Sequence, residues 1–198
     1  MTDRGRFIVF EGGEGCGKST QAARLAEAIG ALLTREPGGT RVGERVRELL
    51  LDPDLIGLDA RAEALLMAAA RAEHVAAVIA PALARGEDVV SDRYTPSSLA
   101  YQGYGRGLDV DKVRDLSSWA TGGLDPDLVI LLATSTPRLA AVADRLEAEG
   151  AEFHDRVARG YRELAADNAH WRIIDGDGTI DEVAARVLEE FRIWEKSS

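Results

Sequence analysis

The sequence predicts a three-layer α/β fold, a five-stranded parallel sheet flanked by helices. Three observations carry that expectation. Five short apolar runs, at 7–10, 32–34, 88–91, 128–132 and 171–174, are each separated by a helical pattern, and such alternation is the signature of strands joined by helical crossovers. The first run passes through a glycine-rich stretch straight into a helical pattern at 21–29. Finally, 198 residues, 45% of them hydrophobic, are enough for one domain, 1–198, with a substantial core.

Taken in order, the first strand is Phe7-Ile-Val-Phe, apolar and β-branched. Leu32–Thr34 reads the same way in shorter form and ends at Arg35-Glu-Pro-Gly-Gly-Thr40, a turn in which Pro37 fixes one backbone angle. Helical spacing then covers 41–51 and a long alanine-rich stretch at 60–85, where Pro81 should kink or restart the helix. The third strand closes on Ser91-Asp92-Arg93-Tyr94. Helices at 111–120, 137–149, 152–166 and 180–195 frame the last two strands. Ligands of such sheets sit at the carboxyl ends of the strands, so the residues just after each strand are the ones that matter.

The net charge of −10 argues against a polynucleotide partner, which usually meets a basic stripe. A small phosphorylated ligand is compatible with it, because a few inward cations dominate at short range. Cys16 is the only cysteine. That excludes an internal disulfide and any cysteine-built zinc site, and suits a reducing compartment. Met1 to Arg6 lacks a signal-peptide core, and no run reads as a membrane span. The expectation is a cytoplasmic protein.

Gly12-Gly-Glu-Gly-Cys-Gly-Lys18-Ser19-Thr20 matches the phosphate-loop pattern G-x-x-x-x-G-K-[ST] in its required setting, after a strand and before a helix. Gly13, Glu14, Gly15, Cys16 and Gly17 supply converging backbone N–H groups for a nucleoside triphosphate. Lys18 reaches the β- and γ-phosphates, and the Ser19 hydroxyl ligates Mg²⁺, with Thr20 opening the helix. Asp92, closing the third strand, is the second candidate for the Mg²⁺ site, and Arg93 offers a fork to another phosphate. Tyr101-Gln102 adds an aromatic face and an amide able to read a base edge.

With Phe10-Glu-Gly, the phosphate loop, Arg35-Glu-Pro-Gly-Gly-Thr40, Ala70-Arg71, Asp92-Arg93-Tyr94, Ala100-Tyr101-Gln102-Gly103 and Pro126-Asp127-Leu128 all present, the chain resembles the thymidylate kinase family of phosphate-loop nucleoside monophosphate kinases. The resemblance implies transfer of the ATP γ-phosphoryl group to dTMP, with Mg²⁺ as cofactor, ATP as co-substrate and a homodimeric assembly. It implies that Glu14 accepts the sugar 3′-hydroxyl and that Arg93, with Arg35 and Pro37 beside it, holds the monophosphate. Arg71, Ser98 and Gln102 would face the thymine, and Tyr101 would crowd the 2′ position.

Two departures stand out. Many relatives stack a phenylalanine on thymine where this chain has Met67. The basic lid that bacterial relatives with glycine at the Gly15 position use for catalysis is shortened, at about 136–150, to an apolar stretch ending in Asp144-Arg145-Leu-Glu147. Arg145 is therefore the candidate for stabilising transition-state charge alongside Lys18 and Arg93, with Arg138 and Arg156 in reserve; a surface ion pair with Glu149 is its alternative role. Thr134 also replaces an acid common at that strand end. Two other functions stay open, a related kinase with a different acceptor and a non-catalytic nucleotide-binding module.

Overall fold

The computed structural model describes residues 4–135, 144–166 and 168–197. Strands β1 (Phe7–Glu11), β2 (Leu32–Arg35), β3 (Val89–Asp92), β4 (Leu128–Ala133) and β5 (Trp171–Asp175) form one parallel sheet in the order β2-β3-β1-β4-β5. The helices are α1 (Lys18–Ile29), α2 (Arg41–Leu51), α3 (Ala60–His74), α4 (Ala80–Ala84), α5 (Thr95–Ser98), α6 (Val110–Thr121), α7 (Ala151–Ala165) and α8 (Ile180–Glu195).

Every residue of β1 is buried, as expected of a central parallel strand covered on both faces. Its side chains alternate. Ile8 and Phe10 join Leu25 of α1 and Val187 and Phe191 of α8 in one cluster, whereas Phe7 and Val9 join Ile79, Leu83 and Tyr94 in another. A third cluster packs Val129 and Leu131 of β4 against Phe153, Val157 and Tyr161 of α7. Because β1 is flanked by β3 on one side and β4 on the other, the strand order reverses at its carboxyl end, which opens a crevice there.

The long helical stretch runs from Ala60 to Ala84 with a π-helical segment, Val75–Ile79, in the middle. There the Ala80 N–H bonds the Val75 carbonyl, five residues back, immediately before Pro81. The wider turn lets the chain enter Pro81, which has no N–H to give, without breaking the helix. This stretch is long and apolar enough to pass as a membrane span, with a mean hydropathy of 1.3, contrary to the sequence expectation. It carries Arg71, Glu73 and His74, however, and Arg71 and His74 are buried in polar contacts described below.

Two other expectations need correction. Residues 144–149 form turns rather than the second half of a helix at 137–149, and 136–143 lie outside the described residues. Residues 95–105, not expected to be helical, form α5 followed by a second π-helical segment, Leu99–Gly105. Gly105 and Gly160 bring that segment close to α7: a Cβ on Gly105 would lie 2.7 Å from the Phe153 ring, and one on Gly160 would lie 2.7 Å from the Tyr104 ring.

Candidate active site

A cleft of about 600 Å³ lies over the carboxyl ends of β1, β2 and β3 and is lined by the phosphate loop at one end and by Arg71, Ser98 and Gln102 at the other. The loop is shaped by glycine. Gly12 has φ 145°, and a Cβ there would stand 2.6 Å from the Leu132 carbonyl oxygen and 2.8 Å from Cys16 Sγ, so no side chain fits. Gly17 caps α1 in a left-handed conformation with no side-chain cap, which leaves the first-turn N–H groups directed at the cleft for an anion. Lys18 is buried and donates to the Gly13 carbonyl at 2.6 Å, curled over the loop it serves. Cys16 is a small buried filler 3.7 Å from the Lys18 amine.

The Ser19 hydroxyl donates to Asp92 Oδ2 at 2.5 Å, while Asp92 Oδ1 is buried with no hydrogen-bond partner. Register puts Asp92 beside both Phe10 and Arg35. An orphaned carboxylate oxygen beside a hydroxyl at a phosphate loop is a hard-oxygen donor set that fits Mg²⁺. Among the described residues there is no cluster of three His, Cys, Asp or Glu able to hold a metal, so phosphate oxygens and water would complete the shell.

Arg93 is the only non-glycine with positive φ among the described residues, at 74°. Its N–H bonds the Phe10 carbonyl at 2.9 Å, which turns the chain so that the guanidinium points back over β1. One end donates to Glu14 at 2.6 Å and to the Tyr101 hydroxyl at 3.1 Å. The other donates to the Ser97 hydroxyl at 3.1 Å and the Tyr161 hydroxyl at 3.2 Å. Beneath lies Glu11, fully buried, which accepts from the Tyr94 and Ser97 N–H groups, the Ser97 hydroxyl and the Tyr161 hydroxyl. Burial pushes the Glu11 carboxyl upward, opposed by Arg93 and those donors. Glu14 goes the other way: burial again raises it, but the charges of Arg93 and Lys18 and the Tyr101 hydrogen bond bring it down to about 2. Burial raises the Tyr101 and Tyr161 hydroxyls, so both remain protonated donors.

At the far end Arg71 is 3% exposed. It donates to Glu36 at 2.7 Å, to the Ser98 hydroxyl at 3.0 Å and to the Tyr94 carbonyl at 3.0 Å. Glu36 therefore turns inward instead of pairing with Arg35, which bonds Glu44 at the cleft mouth. The second Glu36 oxygen lies 3.0 Å from His74 Nδ1; a carboxylate only accepts, so that nitrogen carries the proton. His74 Nε2 is 2.6 Å from the Thr34 hydroxyl. Glu63, Met67, Arg71 and His74 recur on one face of α3 at spacings of four, four and three. Met67 lines the cleft and also packs against the cluster that holds Tyr101 and Phe153. The Glu36–Pro37 peptide is cis.

The structure thus brings together Gly13 through Thr20, Arg35, Pro37, Met67, Arg71, Asp92, Arg93, Ser98, Tyr101 and Gln102. Arg145 is not among them. Its guanidinium donates to Glu63 and to the Leu50 carbonyl, both at 2.7 Å, away from the phosphate loop. The anticipated partner Glu149 pairs with Arg106 instead. Arg156 bonds the Gly105 carbonyl twice, and Arg138 lies outside the described residues. Sequence reasoning passed over Arg47, which lines the cleft and donates to the Pro37 carbonyl at 3.0 Å. It also passed over Glu11, Glu63, Ser97 and Tyr161. Thr134 and Ser135 both bond Asp177, so an acid does stand at that strand end, delivered by the loop after β5, whose Gly176–Gly178 backbone lines the cleft.

Comparison with known proteins shows which family the chain belongs to. A family model described as thymidylate kinase matches residues 10–187. A thymidylate kinase of Desulforudis audaxviator is 53% identical over 187 residues, 87% of this chain and 84% of that protein. One from Leifsonia xyli is 49% identical over 195 residues, covering 92% of each. The crystal structure of thymidylate kinase from Ehrlichia chaffeensis superposes with a TM-score of 0.81 at 33% identity, over 96% of this chain and 99% of that one.

Proposed function

The chain belongs to the thymidylate kinase family, and on that premise we propose that it transfers the γ-phosphoryl group of ATP to dTMP, giving ADP and dTDP. The observation that carries the reading is that one cleft holds Arg93 between the phosphate loop and the Arg71–Gln102 end. Phosphoryl transfer needs two anions brought into line, with charge stabilised as it spreads, more than it needs a covalent participant.

The loop amides and Lys18 gather the donor phosphates, Lys18 exchanging the Gly13 carbonyl for phosphate oxygen. Ser19 and Asp92 would hold Mg²⁺, which neutralises phosphate charge when bound. Arg93, locked between Glu14 and Ser97, presents a fixed cation to the acceptor phosphate without paying for reorganisation at each turnover, and Arg35 and Arg47 add charge at the mouth. Glu14, ionised throughout the neutral range, accepts the sugar hydroxyl. Tyr101, pinned by Glu14 and Arg93, walls off the 2′ position. Arg71 and Gln102 address the base. Homodimerisation would use the exposed side of α3 and α6, where Leu65 is 57% and Trp119 84% exposed. A cytoplasmic setting suits the single buried thiol. The predicted assembly is tested by sedimentation, with Trp119→Glu expected to sediment as a monomer.

The deciding experiment is a coupled ADP-release assay with dTMP, dUMP, dCMP and dGMP side by side. The expected result is turnover with dTMP at the highest kcat/KM. Preference for another monophosphate would reassign the acceptor, and ATP binding without ADP release would leave a binding module.

A further inference from the structure

We propose that Glu63 is a positioning residue that sets which way the Gln102 amide faces, and thereby selects a keto pyrimidine over an amino pyrimidine in the acceptor. The inference deepens the reading above and rests on it, since it takes Gln102 to face the acceptor base.

Glu63 has no solvent exposure, and its two oxygens meet four donated hydrogen bonds. Oε1 accepts from Gln102 Nε2 at 2.8 Å and from Arg106 Nε at 3.2 Å. Oε2 accepts from Arg106 Nη2 at 3.1 Å and Arg145 Nη2 at 2.7 Å. Arg106 also pairs with Glu149, so the charges alternate in a neutral chain, Arg145, Glu63, Arg106, Glu149. Burial alone would raise the Glu63 carboxyl, but these donors, Arg106 foremost, bring it below its ordinary value. It is an anion at neutral pH, and an anion accepts only.

An amide has two distinguishable faces, and a carboxylate tolerates only its N–H side. With Nε2 committed to Glu63, Oε1 of Gln102 is the acceptor left for the cleft that this residue lines. A base edge bearing an N–H flanked by carbonyls satisfies that oxygen. Cytosine presents a bare ring nitrogen there, and two acceptors would face each other unpaired in a buried site. Arg145 contributes by holding Glu63 against the end of α2: it bonds the Leu50 carbonyl with Nε and Glu63 with Nη2. Here the Asp-Arg-x-Glu segment after the shortened lid serves acceptor recognition rather than the transferring phosphoryl group.

The test measures kcat/KM for dTMP and for dCMP at saturating ATP and Mg²⁺ in the wild type, Glu63→Gln, Gln102→Ala and the double variant. Glu63→Gln should lower the dTMP-to-dCMP ratio about tenfold, with the change in acceptor KM and the KM for ATP within about twofold. Gln102→Ala should lower the ratio at least as far, and the double variant should match Gln102→Ala, because Glu63 acts through that amide. A lowered melting temperature with an unchanged ratio in Glu63→Gln overturns the proposal, as do additive losses in the double variant. An unchanged ratio in Gln102→Ala overturns the base-reading role on which it rests. Should Glu63→Gln fail to fold, Glu63→Asp keeps the charge for both arginines while withdrawing from Gln102; about a threefold loss of ratio is expected, and none overturns the proposal.

Discussion

The two ends of the cleft are built on different principles. At the phosphate loop most of the ligand groups are backbone amides, the shape comes from glycine, and Lys18 donates to the Gly13 carbonyl and the Cys16 sulfur with the Glu14 charge nearby. At the acceptor end nearly every polar side chain is held by another: Arg71 by Glu36, Glu36 by His74, Arg93 by Glu14 and Ser97, Gln102 by Glu63. The contrast teaches that a donor phosphate, the same in every nucleotide, can be met by main-chain amides and one lysine. A sugar and a base must be told from their near relatives, and that takes side chains held in one orientation.

Variants at the two ends should therefore fail in different ways. The largest effect is expected for Lys18→Ala, a loss in kcat of about 10³-fold or more by coupled assay with the urea midpoint scarcely moved; a comparable loss of stability would break the contrast. Glu36→Ala should do the reverse, stranding Arg71 and His74 in the interior at a cost of about 3–5 kcal/mol in urea unfolding. Next comes pH. The Glu14 carboxyl is depressed on folding to about 2, so its contribution is complete above its unfolded pKa of about 4.3 and is lost as pH falls through the folded value. Between pH 5 and 2.5 the wild type should lose roughly 2–3 kcal/mol more than Glu14→Gln; parallel stability curves would refute the assignment. The smallest effect is expected for Arg145→Ala, about a fivefold rise in the KM for dTMP with kcat less affected. A fall in kcat at unchanged KM would return Arg145 to the phosphoryl group.

The same contrast governs what could be read from the chain alone. The core of the donor end is contiguous, an eight-residue pattern at 12–19 that leads from the end of β1 into the first turn of α1, and its pattern is its mechanism. The sheet was equally legible, because each strand is a short apolar run set between helical patterns, the central β1, β3 and β4 being buried on both faces while the edge strands β2 and β5 are partly exposed. The acceptor end is dispersed. Glu11 sits inside a recognisable motif, but nothing in its neighbours says that Tyr161, 150 positions away, will donate to it. Arg145 was assigned by a local pattern, whereas its position is decided by Glu63 on α3. The π-helical segment carrying Tyr101 and Gln102 has no periodic signature, since its wider turn answers to the packing of α7 against Gly105.

Glu63, Met67, Arg71 and His74 share one face of α3, and that alignment limits how such a pocket can change over time. Swapping side chains along the row alters one contact and spares the rest. Inserting a single residue between Met67 and Arg71 would rotate the later pair by about 100° relative to the earlier one and advance it by about 1.5 Å, dismantling together the bonds of Arg71 to Glu36, Ser98 and Tyr94 and those of His74 to Glu36 and Thr34. Descendants of this chain are free to try new substituents in that row, but not to lengthen or shorten it.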